Sequence, residues 1–486
     1  MREFTTGLMK VDYQSMYSPL SSVIRRPPVT ATPETELLES LRTMQRERVG
    51  SVVVIDPSTH IAQGIFTLQD LLSRVALQGC DMGQPISKVM TRELVTLKPQ
   101  ATAYQAALAM ARHGFRHVVV ADGDDRLVGI VSQNDLFELQ RVGVKEISSD
   151  IRHAQDLEGI RQSAVGIRGL AHNMLAQGLG AEALSHFIST LNDLLTIRLI
   201  ELTQAEFELP QVKWCWITMG SQGRFEQTFS TDQDNGIIFE AEDAGQVTQL
   251  KRLFVPFAQA VNQKLDACGF ALCKGGIMAG NPHWCLSLSE WQDTFVRWIH
   301  EAQPQALLNA AIFFDLRPLF GAEELADALR ATLLNNTACG ALFLRQMVQN
   351  ALQCQPPLGV FRDFVYDDSK EFSHTIDMKM YGSRPFVDSA RIMSLANHVA
   401  ATSTAERLRA VSDKVRLGGD DVSAIIEGFY FIQLVRMRHQ DSMIGPSAAA
   451  NRVNPEDLNE LDRQILKGAF KQARKLQTRL ALDYRL

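Results

Sequence analysis

The sequence predicts a chain of α/β and α domains: a tandem pair of α/β units, a helical connector, a second α/β domain and a helical C-terminal domain. Three observations predict it. A strand-helix-strand-strand-helix pattern occurs twice in the first 140 residues. Runs of β-branched residues vanish between Ile147 and Glu208 and again after Gly321. Between those helical stretches, a strand-like run enters a glycine-bearing turn, followed by Asp232-Gln233-Asp234 and a second apolar run. The expected limits are 18–140 for the pair (18–78 and 84–140), 147–208 for the connector, 209–330 for the second α/β domain and 331–486 for the helical domain. The length of 486 residues agrees with several domains, since one core serves about 150 residues. With 45% hydrophobic and 21% charged residues, wholesale disorder, collagen and a coiled-coil rod are excluded. A net charge of −6 argues against a broad basic face for nucleic acid and leaves room for a local phosphate pocket.

The repeat is seen when the chain is laid against itself. Val29-Thr30-Ala31-Thr32-Pro33, followed by Leu37, Leu41 and Met44, recurs as Val95-Thr96-Leu97-Lys98-Pro99, followed by Ala107, Leu108 and Met110. Ser51 to Asp56 recurs as His117 to Asp122, and Gly64-Ile65-Phe66-Thr67-Leu68-Gln69-Asp70 as Gly129-Ile130-Val131-Ser132-Gln133-Asn134-Asp135. The apolar spacing after each proline is helical, and the β-branched runs have the length of buried strands. Each copy ends with a hydroxyl at a strand end and a carboxylate three residues later. Thr67 with Asp70, and Ser132 with Asp135, could meet the phosphate and ribose of a nucleotide, or could simply cap the helices they precede. His117, opening an apolar strand, reads as a packed residue. The order and end motif of both copies resemble the CBS domain. The resemblance implies one module made of the pair, adenine nucleotide (AMP, ADP or ATP) as the possible effector, Thr67, Asp70, Ser132 and Asp135 as its contacts, and a homodimer.

In the connector, Leu184, Phe187, Ile188, Leu191, Leu194 and Leu195 recur at helical spacing, and Gly178-Leu179-Gly180 separates two helices. His153, His172 and His186 lack the spacing of a metal site and take no role. The seven cysteines form no C-x-x-C pair. Met1 to Lys10 lacks a signal-peptide core and no run has the length of a membrane span, so a soluble, cytoplasmic protein in a reducing compartment is expected.

Lys213 to Met219 reads as a buried strand running into Gly220-Ser221-Gln222-Gly223-Arg224-Phe225-Glu226, a turn that opens a short helix. Ser230-Thr231-Asp232-Gln233-Asp234-Asn235 and the strand-like Gly236 to Phe239 follow. On a strand, residues i and i+2 share a face, so Asp232 and Asp234 can converge on one point. Two such carboxylates repel unless a cation lies between them, and Mg²⁺, which takes carboxylate and phosphate oxygens, suits the position. The turn at Gly220, Ser221 and Gly223 lets backbone N–H groups approach a triphosphate; alternatively, Asp232 and Asp234 are turn carboxylates and Gly220-Ser221 is a plain helix cap.

This pattern, Gly-Ser-x-Gly-Arg-x-Glu followed by Ser-Thr-Asp-x-Asp, resembles the signature of polymerase-β-like nucleotidyltransferases, and most closely the N-terminal domain of PII protein uridylyltransferase. The resemblance implies a nucleoside triphosphate as substrate, an acceptor that is a PII-like protein or a small molecule, and a third carboxylate on a neighbouring strand. Asp315, at the end of the strand-like run Asn309 to Phe314, is the candidate; the other reading pairs it with Arg317. With Asp232, Asp234 and Asp315 as metal and catalytic ligands, an acceptor hydroxyl would attack the α-phosphorus between two metal ions roughly 3.5 to 4 Å apart. Arg224 could meet the triphosphate or pair with Glu226 or Asp232. Lys274, in the glycine-rich run Lys274 to Pro282, is a further nucleotide-binding candidate. Trp284, Trp291 and Trp298, seven apart, read as one core-facing helical stripe.

After Gly321 the chain is again helical. The stretch Ile376 to Arg391, with Thr402 to Leu408 and Arg438-His439-Gln440, resembles the substrate-binding helical domain that accompanies such transferase domains in bacterial CBS proteins. Lys379, Arg384 and Arg391 are its candidate contacts to phosphate or an acidic acceptor, unless they pair with Asp377 and Asp388. The histidine-aspartate hydrolase motif of the nitrogen sensor is missing. A magnesium-dependent, CBS-regulated nucleotidyltransferase is the leading reading, a non-catalytic nucleotide sensor the alternative, and a resistance-type transferase acting on small hydroxylated molecules a third.

Overall fold

The computed structural model describes residues 18–24, 26–301, 304–359, 364–366, 371–443 and 449–486. The segment Met1 to Lys10, read above for targeting, lies outside them. The chain divides into two compact units, Met1–Ile147 and Ser148–Leu486.

In the first unit, α1 (Leu20–Val23) is followed by β1 (Thr30–Ala31), α2 (Leu37–Glu47), β2 (Ser51–Ile55), β3 (Ala62–Thr67) and α3 (Leu68–Asp70), which runs on as the π-helical turn Leu71–Ala76. The second copy repeats the order as β4 (Thr96–Leu97), α4 (Ala103–His113), β5 (His117–Ala121), β6 (Leu127–Ser132) and α5 (Gln133–His153). Each copy makes a three-stranded sheet in which the short first strand is parallel and the third antiparallel to the middle one. The registers coincide, with Ser51 opposite Thr67 and His117 opposite Ser132. Alternate positions Val52, Val54 and Phe66 fill one core, and Val118, Val120 and Val131 fill the other. Leu20 and Val23 of α1 join the core of the second copy, where the Leu20 amide donates to Ala101 O at 2.8 Å. The first residues of the pair thus complete its last core.

In the second unit, α6 (Leu157–Ala176) and α7 (Ala181–Gln204) break at the glycines 178 and 180. There follow β7 (Trp214–Thr218), α8 (Gly220–Gly223), β8 (Asn235–Phe239), α9 (Ala244–Ala267), β9 (Cys285–Ser287), α10 (Leu288–Glu301), α11 (Pro304–Phe313) and β10 (Arg317–Gly321). The sheet order is β10-β7-β8-β9; β7 runs antiparallel to both neighbours, and β8 is parallel to β9. The strand expected at Asn309 to Phe314 is a correction: most of it is the end of α11. A short apolar run fits either period, and Pro304 at the first helical position with the leucines and alanines behind it favours the helix. Trp291 and Trp298 lie on α10, whereas Trp284 ends a separate turn, Pro282–Trp284, and packs 4.4 Å from the Phe313 ring. All three belong to one aromatic cluster.

The C-terminal half comprises α12 (Glu323–Cys339), α13 (Ala341–Ala351), β11 (Ile376–Asp377), the π-helical turn Met378–Ser383, α14 (Arg384–Ala396), α15 (Thr404–Val411), α16 (Gly419–Ser442), β12 (Arg452–Val453) and α17 (Glu460–Asp483). β11 and β12 form a small antiparallel ribbon that helical spacing did not reveal. A continuous core joins Ile217, Ile238, Trp291 and Phe313 of the sheet domain to Phe386, Ile425, Phe429 and Phe470 of the helices. The two halves of this unit are therefore packed as one body, which fixes the helices relative to the acidic segment. Among the described residues, no helix is long and apolar enough to cross a membrane.

Candidate active site

The acidic pair is built from the end of β7 and the approach to β8. Antiparallel pairing sets Thr218 opposite Asn235, so Met219 and Gly220 lie beside Asp234, and the Met219 amide donates to Asp234 O at 2.9 Å. Gly220 has φ +55°, and a Cβ there would run into Asp234 Oδ2. Only glycine gives this backbone conformation and this close approach together. The carboxylate of Asp234 therefore lies against the strand-to-helix turn.

Asp232 and Asp234 are not in β8 itself but in the extended segment that enters it. Asp232 bridges Ala271, and the Gln233 amide donates to Ala271 O at 3.0 Å. Between the acids, the buried Gln233 side chain donates to Asn262 O at 3.0 Å and Phe270 O at 2.8 Å and accepts from Asn262 Nδ2 at 2.9 Å. Anchoring the middle residue inward turns its two neighbours the other way. The Asp232 side chain is 43% exposed, with Lys379 Nζ 3.8 Å from its Oδ1. Burial, and then the charge of Asp232, push the Asp234 carboxyl up to about 6, against the pull of Lys379, a Cys273 hydrogen bond and Arg224. The two acids repel, and this repulsion is what a cation would relieve.

The second glycine-rich run borders the same segment. Ala279 donates to Asn235 Oδ1 at 2.8 Å and Gly280 to Asn262 Oδ1 at 2.9 Å, while Asn281 Nδ2 and Trp284 Nε1 close the turn on Gly276 O. Lys274 at its start is exposed, and Ser221 in α8 is half-buried.

The structure corrects the third carboxylate. Asp315 is fully buried and its oxygens are taken by three guanidiniums. Arg391 reaches it through Nε at 2.9 Å and Nη2 at 2.6 Å, and Arg224 Nη1 and Arg407 Nη1 each lie at 2.6 Å. Burial alone would raise its pKa, but Arg391, Arg407 and Arg224 overcome this and hold it well below the ordinary carboxylate range. Arg317, its expected partner, pairs with Asp193 of α7 at 2.6 Å instead. Arg224 also binds Glu226 at 2.7 Å, so its direct contacts go to two carboxylates outside the acidic pair, which it influences only at longer range. Arg391 and Arg384 both hold Asp388, at 2.7 and 3.1 Å. Glu226 in turn accepts from the Thr404 amide at 2.7 Å. Gly223 completes the contact, since a Cβ there would strike Asp315 O. This network fastens the sheet domain to α14 and α15, and of the candidate substrate contacts only Lys379 meets the acids.

Several residues of the site escaped the sequence reading. Asp193 accepts from Gln222 Nε2 at 3.0 Å, Asn192 Nδ2 donates to Gln227 Oε1 at 3.1 Å, and the Gln227 amide donates to Ser189 Oγ at 3.1 Å. The signal was present, because Ser185, Ser189, Asn192, Asp193 and Thr196 recur at helical spacing as a polar stripe among the leucines and isoleucines of α7, and all five are buried. His172 binds Asp441 at 2.7 Å, and the His186 ring packs on Phe225.

In the CBS-like unit, each end motif closes a capping box. Thr67 Oγ1 donates to Asp70 Oδ2 at 2.7 Å, and Ser132 Oγ to Asp135 Oδ2 at 2.6 Å. The first copy adds Thr91 Oγ1 at 3.1 Å and Arg74 Nε at 3.4 Å on Asp70 Oδ1. A cleft of about 380 Å³ in that copy lies elsewhere, between β1, α2 and the Pro57 to His60 turn.

Among the described residues, no group of three histidine, cysteine or acidic side chains could hold a metal. Asp232 and Asp234 would be the acidic donors, a pair whose chemistry suits Mg²⁺ held jointly with substrate phosphates better than an all-protein cage.

Family comparisons divide the chain in the same sense. Residues 20–77 and 86–141 match the CBS domain, residues 166–305 match the family described as "Putative nucleotidyltransferase DUF294", and residues 341–484 match its "Putative nucleotidyltransferase substrate binding domain". The second match begins inside the helical connector, in agreement with the packing of α7 on the site. CBS domain-containing protein YhcV of Bacillus subtilis is 33% identical over 22% of this chain and 74% of its own length. An uncharacterized protein of Methanopyrus kandleri is 26% identical over 28% of this chain and 70% of its own. Among solved structures, a CBS domain protein from Pyrobaculum aerophilum complexed with AMP is 26% identical, covering 26% of this chain and 99% of that one with a TM-score of 0.24.

Proposed function

The chain belongs to the CBS domain-containing proteins and carries, behind its CBS pair, a nucleotidyltransferase-family domain with its substrate-binding companion; from that premise we propose that it is a magnesium-dependent nucleotidyltransferase. It would move a nucleoside monophosphate from a triphosphate to a hydroxyl of a protein or small molecule. The observation that carries the reading is Asp234 held against the turn at Gly220, with the charge of Asp232 acting on it and Gln233 locked inward between the two acids.

In this reading Asp232 and Asp234 hold the ion together with the triphosphate, and Mg²⁺ when bound supplies charge neutralisation at the phosphates. Gly220 and Ser221 offer backbone amides to the phosphate chain, with Lys274 and Lys379 as flanking cations. The acceptor oxygen forms a bond to the α-phosphorus, the α–β bridging bond breaks, pyrophosphate leaves, and the hydroxyl proton passes to solvent. Two carboxylates now do what three were expected to do. Asp315, Arg224 and Arg391 become positioning residues that orient the turn and the helical domain. We keep the proposed domain limits of 18–140, 147–208, 209–330 and 331–486, with the connector working as part of the transferase body.

For regulation, adenine nucleotide at the CBS pair is proposed, with the second copy favoured. There both Ser132 bonds fall on one oxygen of Asp135, whereas Asp70 in the first copy is also engaged by Thr91 and Arg74. The sensor alternative draws support from a single observation, the loss of Asp315 to its arginine cage. Pyrophosphate release decides between them: the intact chain with Mg²⁺, each nucleoside triphosphate and a cell extract is expected to release it, and Asp232→Asn is not. Release by neither, with AMP or ATP present or absent, would leave the sensor standing.

A further inference from the structure

A buried polar stripe on α16 has no place in the chemistry above. Gln433, Arg436 and Gln440 recur at helical spacing on one face, and each is more than nine-tenths buried. Arg436 is 6% exposed, yet its hydrogen-bond partners are all neutral. Nε and Nη2 donate to Asn451 Oδ1 at 3.1 and 3.0 Å, and Nη1 donates to Ser383 Oγ at 3.4 Å and to Gln433 Oε1. The other buried arginines of this region, Arg224, Arg391 and Arg407, each touch a carboxylate. An unpaired buried charge is costly, and an anion that reaches it recovers that cost.

The stripe backs onto the acidic pair from two sides. Ser383 lies one turn from Lys379, bonded to its carbonyl at 3.3 Å, and Lys379 Nζ is 3.8 Å from Asp232. One turn along α16, Gln440 Oε1 accepts from the Ser230 amide at 3.3 Å, two residues before Asp232, and Gln440 Nε2 shares Asn451 Oδ1 with Arg436. Burial pulls the guanidinium down to about 10, so it is still charged at neutral pH, and among its influences are Asp377, Glu226 and Asp232.

We propose that Arg436, joined through Ser383 to the turn that carries Lys379, is the oxyanion-recognition residue beside the acidic pair, binding a phosphate group of a substrate held over Asp232 and Asp234. The proposal rests on the transferase reading and adds a specificity element to it. A guanidinium fork matches phosphate oxygens, and an incoming phosphate replaces the hydroxyl and amide oxygens of Ser383 and Gln433 at Nη1 with a charged partner. The phosphate could belong to the donor triphosphate or to a phosphorylated acceptor.

Titration calorimetry on the full chain tests this, with inorganic tripolyphosphate and orthophosphate as probes, against Arg436→Gln and Arg436→Lys. Arg436→Gln is expected to weaken the bound probe about tenfold or more, with Mg²⁺ binding unchanged, and Arg436→Lys to restore most of the loss. Displacement of the probe by a nucleoside triphosphate assigns the donor; orthophosphate that binds alongside the triphosphate assigns the acceptor. Should Arg436→Gln fail to fold, Arg436→Lys carries the test through the rise in Tm that the probe induces, which it must share with the parent chain. Equal affinity of parent and Arg436→Gln for both probes overturns the proposal, as does a parent chain that binds neither. Pyrophosphate release persisting in either case shows that the transferase reading survives the loss of the proposal.

Discussion

Replacing Asp315 by asparagine should destabilise the second unit strongly, for reasons that have nothing to do with a metal. The side chain is fully buried and carries contacts from three arginines. Arg224 would keep Glu226, and Arg391 would keep Asp388. Arg407 would be left with the Ala401 and Phe314 carbonyls alone. Leaving one buried guanidinium uncompensated costs about 3–5 kcal/mol. For a body spanning residues 148–486, this corresponds to a fall in Tm of roughly 4–7 °C. Differential scanning calorimetry at pH 7 measures it, with Arg407→Leu and the double variant closing a cycle. Because the folded pKa of Asp315 is depressed, its contribution is present above the ordinary carboxylate pKa and is lost only as pH falls through the folded value. The deficit should therefore be constant between pH 6 and 8. An Asp315→Asn chain that melts within about 1 °C of the parent while losing Mg²⁺ affinity would refute the cage and reinstate Asp315 as a ligand.

Other expectations concern the acids themselves. Asp234→Asn should abolish transfer yet leave Tm unchanged or higher, because it removes the like charge that burial opposes; calorimetry beside an activity assay checks both. Mg²⁺ affinity should be full above pH 6 and fall about tenfold per pH unit below it, since the proton held by Asp234 with its pKa near 6 must leave first; titrations in buffers of different ionisation enthalpy should detect that proton. Lys379→Ala removes a cation that favours the ionised Asp234, so the midpoint of this pH dependence should move upward. Gly220→Ala forces a Cβ into Asp234 Oδ2 at a left-handed φ, and should cost about 1–3 kcal/mol together with most of the activity.

What could be read from the sequence was local. The duplicated unit was legible because its strands, helices and end motifs recur within short spans, and the registers of both sheets follow from them. Asp232 and Asp234 were legible for the same reason: two residues apart, with a glycine turn just upstream, their proximity needs no tertiary information. Asp315 was misread because its partners Arg391 and Arg407 are 76 and 92 residues away, and nothing near it announces them. Asn309 to Phe314 reads as a strand, although Asn309 to Phe313 ends the helix Pro304–Phe313, because a short apolar run fits both periods. Arg436 was missed because its meaning lies in what it lacks, a carboxylate partner, and that can be judged only once Asn451, Ser383 and Gln433 are seen around it.

Nucleotidyl transfer at Asp232 and Asp234 is the reaction to be tested. The most direct test is incubation of the intact chain with each α-labelled nucleoside triphosphate, Mg²⁺ and a cell extract, in parallel with the Asp232→Asn, Asp234→Asn variant. Label that becomes fixed to a protein or small molecule with the intact chain and not with the variant is the predicted result. Label fixed equally by both, or by neither across all four triphosphates with the CBS effector present and absent, would contradict it.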